Sequence, residues 1–166
     1  IEKLKLYRNH GIKDKRYYHY LPGHNFRLTN IQAAIGCAQL KKIATIIFKR
    51  KKIYHFYRKL FNDIEGLKLQ IFSPKIKPAI WTFAIVLDPK AFTDRDKIIK
   101  IMKTKGIETR NGFYSPNRLS LYKGCNTSNL KCSDKLSKNI ICLPFFPSLK
   151  EREMEYIAKT LIRLKR

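Results

Sequence analysis

From Asn30 to about Asn62 the chain carries a single helical pattern, and a helix of that length limits what the remainder can be. Leu40, Ile43, Ile47, Tyr54, Tyr57 and Phe61 lie near one stripe of a 3.6-residue period. Ile46, Ile53, Phe56, Leu60 and Ile64 lie near another. Together they make a wide apolar face, with Lys41, Lys42, Lys49, Lys51, Lys52 and Lys59 largely outside it. At about 1.5 Å per residue an unbroken helix would be about 50 Å long. That is long for one globular domain, so a bend or break is expected near Ala44-Thr45.

The start of this helix is marked by chemistry. Thr29 and Gln32 stand in capping-box spacing, so the Thr29 hydroxyl can take an orphan N–H and Gln32 can reach back to the Thr29 N–H. Behind the cap, Ile31, Ala34, Ile35 and Ala38 share one face. In front of it sit His24, Asn25 and Arg27. A helix N-terminus with a cation and an amide donor beside it suits an anion, above all a phosphate. The plainer alternative is an ordinary capped helix whose polar loop faces water.

The flanking segments are shorter. Ile1 to about Asn9 reads as the end of a helix stopped by Gly11, with His10 at its C-terminal end. Lys13 to Pro22 is a basic, aromatic loop able to stack on bases or to pack a ligand pocket. After Asp63–Gly66 the period changes to two. Leu67, Leu69 and Ile71 alternate as a short strand, and Ala79 to Leu87 reads as a strand buried on both faces, with Trp81 in the core.

Thr93 or Asp94 caps a helix to about Lys105, with Ile98, Ile99 and Met102 inward and Gly106 as its stop. Ile107–Arg110 is a short strand, 111–130 is irregular, Ser133–Lys138 is a short helix and Ile140–Leu143 is a strand. Ser148 and Glu151 suggest a second capping box before a last helix on Met154, Ile157, Ala158, Leu161 and Ile162. This order predicts an α+β fold: a long N-terminal helix, straight or bent, then a small sheet with helices packed on one side.

The 166 residues suffice for one ordinary core. No run approaches the about 18 apolar residues of a membrane span, no cleavable signal opens the chain, and a cytoplasmic protein is expected. The chain opens within a charged helical pattern without an initiator Met, which suggests a piece of a larger protein. Its net charge of +24, from 36 Lys and Arg against 12 Asp and Glu, would suit a polyanion. The basic residues are dispersed, however, and no nucleic-acid motif accompanies them. A nucleic-acid-binding module therefore stands as an alternative rather than the main reading. Cys37, Cys125, Cys132 and Cys142 have no Cys-x-x-Cys spacing, so no zinc site is expected and the thiols read as reduced.

Several runs together resemble one family: Arg8-Asn9-His10-Gly11, Arg16-Tyr17-Tyr18-His19, Gly23 to Leu40, Trp81 to Asp88, Arg95-Asp96, Gly106 to Arg110, and Leu143 to Glu155. The chain resembles the pyridoxal-phosphate-dependent nucleotide-sugar aminotransferases, the DegT-like family of fold type I, and among them the GDP-perosamine synthase-like branch. The resemblance implies an enzyme that moves an amino group, from glutamate, to a 4-keto-6-deoxy sugar nucleotide for surface polysaccharide synthesis.

It implies pyridoxal 5'-phosphate as cofactor and a homodimer in which Asn25 reaches the cofactor phosphate of the other subunit, with Arg27 beside it. It places Arg110, Phe113 and Tyr114 near the sugar nucleotide. It also divides the chain into 1–28, the tail of the cofactor domain with an interface loop, 29–65, a connecting helix, and 66–166, a small C-terminal domain. The family's cofactor-holding lysine lies upstream of Arg8-Asn9-His10-Gly11, so no catalytic residue is expected here and the chain alone is expected to be inactive. After Arg110 the family's proline, aromatic and Pro-x-His pattern is replaced by Asn111, Gly112, Ser115 and Asn117. That leaves the substrate open, and a degenerate, non-catalytic homologue stands as a second alternative.

Overall fold

The computed structural model describes residues 1–122, 124–125 and 130–166. Part of the irregular stretch expected over 111–130 therefore lies outside the described residues. The described elements are α1 (Glu2–Arg8), α2 (Asn30–Phe61), β1 (Leu67–Leu69), β2 (Phe83–Leu87), α3 (Arg95–Thr104), β3 (Arg110–Asn111), α4 (Lys131–Asn139), β4 (Ile140–Leu143) and α5 (Glu151–Ile162), with two short 3-10 turns between β3 and α4. They form two compact units, Ile1–Ala44 and Thr45–Arg166. α2 contributes its first half to one and its second half to the other.

α2 shows no break at Ala44-Thr45; the helix continues through both residues. Neither residue is a proline or a glycine, the usual sites of a kink. The apolar face behaves differently in its two halves. Ile53, Tyr54, Tyr57 and Phe61 are buried, whereas Ile31, Ile35, Leu40, Ile43, Ile47 and Phe48 are exposed, Leu40 by 69%. The wide apolar face is thus buried only in its second half: among the described residues nothing covers the first half. No uninterrupted apolar run reaches membrane length, but the average over part of α2 reaches the level of a candidate span. One 18-residue window of α2 has mean hydropathy 1.3 and none of it is buried. The core helix of a soluble protein meets the same criterion of length and composition.

In the second unit the sheet order is β1-β2-β4-β3 and every pairing is antiparallel. The register sets Phe83 against Leu143 and Ile85 against Ile141. With Leu87 these side chains bury one face of the sheet, and the intervening Ala84, Val86, Ile140 and Cys142 are only half-buried. β2 is therefore fully buried on one face rather than two, and it begins at Phe83. Trp81, expected in the core, lies before the strand and is 60% exposed. β1 ends at Leu69, which leaves Ile71 exposed outside the strand.

The core joins Tyr57 and Phe61 of α2, Ile98 and Met102 of α3, and Ile157 and Leu161 of α5 to the buried sheet face. Tyr57 stacks toward Phe83 at 4.9 Å between ring centroids and donates its hydroxyl to the Pro144 carbonyl at 3.0 Å. Burial pushes the Tyr57 phenol up.

α3 is capped by Asp94, whose carboxylate accepts from the Asp96 and Lys97 N–H groups. At α5 the cap lies two residues later than Ser148. The Glu153 carboxylate accepts from the Lys150 N–H at 2.7 Å, half of a capping box, while the Lys150 ammonium has no lone pair to complete it. The turn from Phe146 that buries Leu149 occupies the residues where the earlier start was expected.

The Thr109 hydroxyl is one of three buried side-chain groups without a partner among the described residues, with Arg50 Nε and Ser115 Oγ. Thr109 faces inward beside β3, and its hydroxyl has no partner among the described residues. Thr109→Val keeps the shape and removes the orphan, so stability is expected to rise by about 1 kcal/mol, read as a higher urea midpoint. A lower midpoint would show that the hydroxyl is satisfied in solution.

Candidate functional site

Two places bring chemistry-bearing residues together, one in each unit. In the first, α1 ends at Arg8, and Asn9 forms an antiparallel bridge with Asn25. The His10 N–H donates to the His24 carbonyl at 3.0 Å, the His24 N–H to the Tyr7 carbonyl at 2.7 Å, and the Phe26 N–H to the Arg8 carbonyl at 3.1 Å. Two glycines permit this approach. A Cβ on Gly23 would lie 2.2 Å from the Gly11 nitrogen, and one on Gly11, at φ +72°, would lie 1.9 Å from the Leu21 carbonyl oxygen.

The segment that results is extended and short. His24 and Phe26 stack their rings at 4.9 Å. In extended chain successive side chains alternate, which leaves Asn25 on the opposite side from that pair. Asn25 and Arg27 are both exposed, and neither side chain has a partner among the described residues.

Immediately beyond, the expected capping box is formed. The Thr29 N–H donates to Gln32 Oε1 at 2.9 Å, and the Gln32 N–H donates to Thr29 Oγ1 at 3.3 Å. A carboxamide, a guanidinium and the first turn of a 32-residue helix therefore follow one another within a few residues. This donor set fits a phosphate. In the neighbouring loop Tyr20 donates to Asp14 at 2.7 Å, and this hydrogen bond holds the Asp14 carboxyl below the usual carboxylate range.

The second place is a groove of about 1020 Å³ in the second unit, at the end of the sheet where β2 and β3 begin and β4 ends. Trp81 and Phe113 line it with ring centroids 6.1 Å apart. Arg110 lines it too, its guanidinium held by Glu108 at 3.1 Å. The Cys142 thiol, in the cross-strand position to Arg110, is pushed up by burial. The first turns of α5 supply Arg152, Glu153 and Tyr156. Tyr156 donates to the Lys105 carbonyl at 3.1 Å, which ties this wall to the end of α3.

Of the three residues expected near a substrate, Arg110 and Phe113 share this groove. Tyr114, also exposed, instead lines a smaller pocket of about 260 Å³ with Ser115 and Ser137. Reading the sequence missed Arg152 and Tyr156, because their helical pattern signals only a solvated face. Asn117 is occupied elsewhere: with Arg118 it holds Asp134 in the first turn of α4, at 3.3 and 3.0 Å. The Arg118 hydrogen bond, with that of Asn117, holds the Asp134 carboxyl below its ordinary value. Among the described residues no group of three His, Cys, Asp or Glu could hold a metal, and all four cysteines are unpaired.

Comparison with known proteins covers almost the whole chain. The profile of the DegT/DnrJ/EryC1/StrS aminotransferase family matches residues 1–162. GDP-perosamine synthase of Vibrio cholerae is 30% identical over 165 residues, covering 97% of this chain and 44% of the relative. The dTDP-4-amino-4,6-dideoxy-D-glucose transaminase of Escherichia coli is 30% identical over 166 residues, covering 98% of this chain and 44% of the relative. Among solved structures, Helicobacter pylori PseC, an aminotransferase involved in the biosynthesis of pseudoaminic acid, superposes with a TM-score of 0.82 at 28% identity. That match covers 98% of this chain and 45% of PseC. The chain thus spans under half the length of these relatives.

Proposed function

The chain belongs to the DegT/DnrJ/EryC1/StrS aminotransferase family, and from that premise we propose that it is the C-terminal part of a cytoplasmic, pyridoxal-phosphate-dependent sugar aminotransferase. The whole enzyme moves an amino group from glutamate to a 4-keto-6-deoxy sugar nucleotide, for glycan synthesis. In this reading 1–28 is the tail of the cofactor domain, 29–65 the connecting helix and 66–166 the small domain. The cofactor-holding lysine belongs to polypeptide outside this sequence, and the 166 residues alone are inactive.

One observation carries the reading: the unpartnered Asn25 carboxamide and Arg27 guanidinium in front of the capped start of α2. Pyridoxal phosphate supplies the electron sink for amino-group transfer when bound. The part of this chain is to hold its phosphate, with Asn25 donating and Arg27 neutralising charge, on behalf of a second subunit in a homodimer. Arg110 and Phe113, which share the groove of the second unit, serve the sugar nucleotide.

Cofactor titration of the full-length protein, followed by visible absorbance, tests this. Asn25→Ala is expected to weaken cofactor affinity about tenfold, the worth of one hydrogen bond to a charged group. Unchanged affinity would overturn the phosphate role. A nucleic-acid module instead requires salt-sensitive binding to DNA or RNA by the 166-residue chain, and a degenerate homologue requires a full-length protein with no transaminase activity.

A further inference from the structure

We propose that Trp81 and Arg152 are ligand-binding residues of the groove in the second unit: Trp81 stacks on the base of a nucleoside diphosphate, and Arg152 pairs with its phosphates. The inference rests on the sugar-nucleotide reading and adds two residues to it.

Three observations lead here. The first is size. At about 1020 Å³ the groove stands at the top of the about 300–1,000 Å³ range of small-molecule sites, ample for a nucleoside diphosphate with a sugar and oversized for an amino acid. The second is Trp81. It sits just ahead of an apolar strand yet stays 60% exposed, with Phe113 beside it. Such flat apolar faces are what a nucleobase stacks on.

The third is charge. The groove holds two arginines and two glutamates, so its lining alone is near neutral. Their engagements differ, however. Glu108 occupies Arg110, and Glu153 takes the Lys150 N–H. Arg152 has neither an ion pair nor a hydrogen bond among the described residues. Its planar fork of donors matches phosphate oxygens, and it stands in the first turn of a 12-residue helix, whose N-terminal end favours anions. The chain's net charge of +24 adds long-range attraction.

Trp81 is the chain's single tryptophan, so intrinsic fluorescence reports on this groove alone. The 166-residue chain is titrated with GDP, UDP and dTDP at about 0.15 M salt, where surface charge is screened beyond about 8 Å. Saturable quenching by at least one of them is expected. Arg152→Gln should weaken it about tenfold or more, while Lys59→Gln on α2 should not. By calorimetry Trp81→Ala should weaken binding similarly, circular dichroism confirming that each variant folds.

Equal binding by Arg152→Gln and wild type would overturn the assignment while leaving the sugar-nucleotide reading standing. So would inorganic pyrophosphate or 2-oxoglutarate binding as tightly as the nucleotides. If no nucleoside diphosphate binds, the assignment is again overturned, and the Asn25 titration decides the broader reading by itself.

Discussion

Phe61→Ala is expected to cost the second unit about 3–5 kcal/mol, the range for removing a fully buried phenylalanine. Phe61 closes the last turn of α2 and is wholly buried. Its ring stacks on Tyr57 at 5.9 Å and on Phe83 at 6.2 Å, so one side chain couples the end of the long helix to the first residue of β2. Truncation leaves a cavity between helix and sheet. Urea unfolding followed by circular dichroism measures the loss. A change below about 1 kcal/mol would mean that the site collapses freely, contrary to a close-packed interior.

The second large effect belongs to a charged residue. Arg95 is only 8% exposed, although it sits in the first turn of α3. Its Nη1 donates to the Ser137 carbonyl at 3.1 Å and to the Ile140 carbonyl at 3.0 Å, and its Nε pairs with Asp96. One guanidinium therefore satisfies carbonyls where α4 passes into β4. Arg95→Met keeps most of the stem volume but removes the donor to the Ser137 carbonyl, whereas the Ile140 carbonyl still accepts from the Gly112 N–H at 3.3 Å, so a loss of about 2 kcal/mol is expected in the same urea assay. Arg95→Lys should recover little, because an ammonium cannot reproduce the planar fork. Full recovery by lysine would show that charge alone matters here.

Local chemistry was the most legible part of this sequence. The Thr29–Gln32 box and the Asp94 cap depend on residues three apart or closer, and both form as their spacing indicates. The strand and helix order was legible for a similar reason: the hydrophobic period changes between 2 and 3.6 at each junction.

The Ser148–Glu151 box failed locally, to the turn that buries Leu149; the other failures depended on what lies across from a residue. Trp81 sits in an unbroken apolar run, and only the pairing of Phe83 with Leu143 shows that the strand starts after it. The exposed half of α2 carries the same pattern as the buried half, because a pattern records which face is apolar and not what covers it. Arg95 reads as a surface residue at a helix start, and its burial follows from two carbonyls more than 40 residues away. The groove was partly legible through Arg110 and Phe113. Its α5 wall was not, since Arg152 and Tyr156 meet it only after the chain has returned.

The strand order also dictates when this sheet can exist during synthesis. β4, the last strand to be made, lies between β2 and β3 and is the partner of both. Until residue 143 has left the ribosome, β3 has no neighbour and the sheet consists of the β1–β2 pair, a two-stranded arrangement that is marginal in water. Through 88–139 the inner face of β2 therefore has only α2, whose Tyr57 and Phe61 meet Phe83, to cover it, and its edge toward β4 stays open. A nascent chain of this protein is most in need of a chaperone over that interval, and it gains its resistance to proteolysis in one late step.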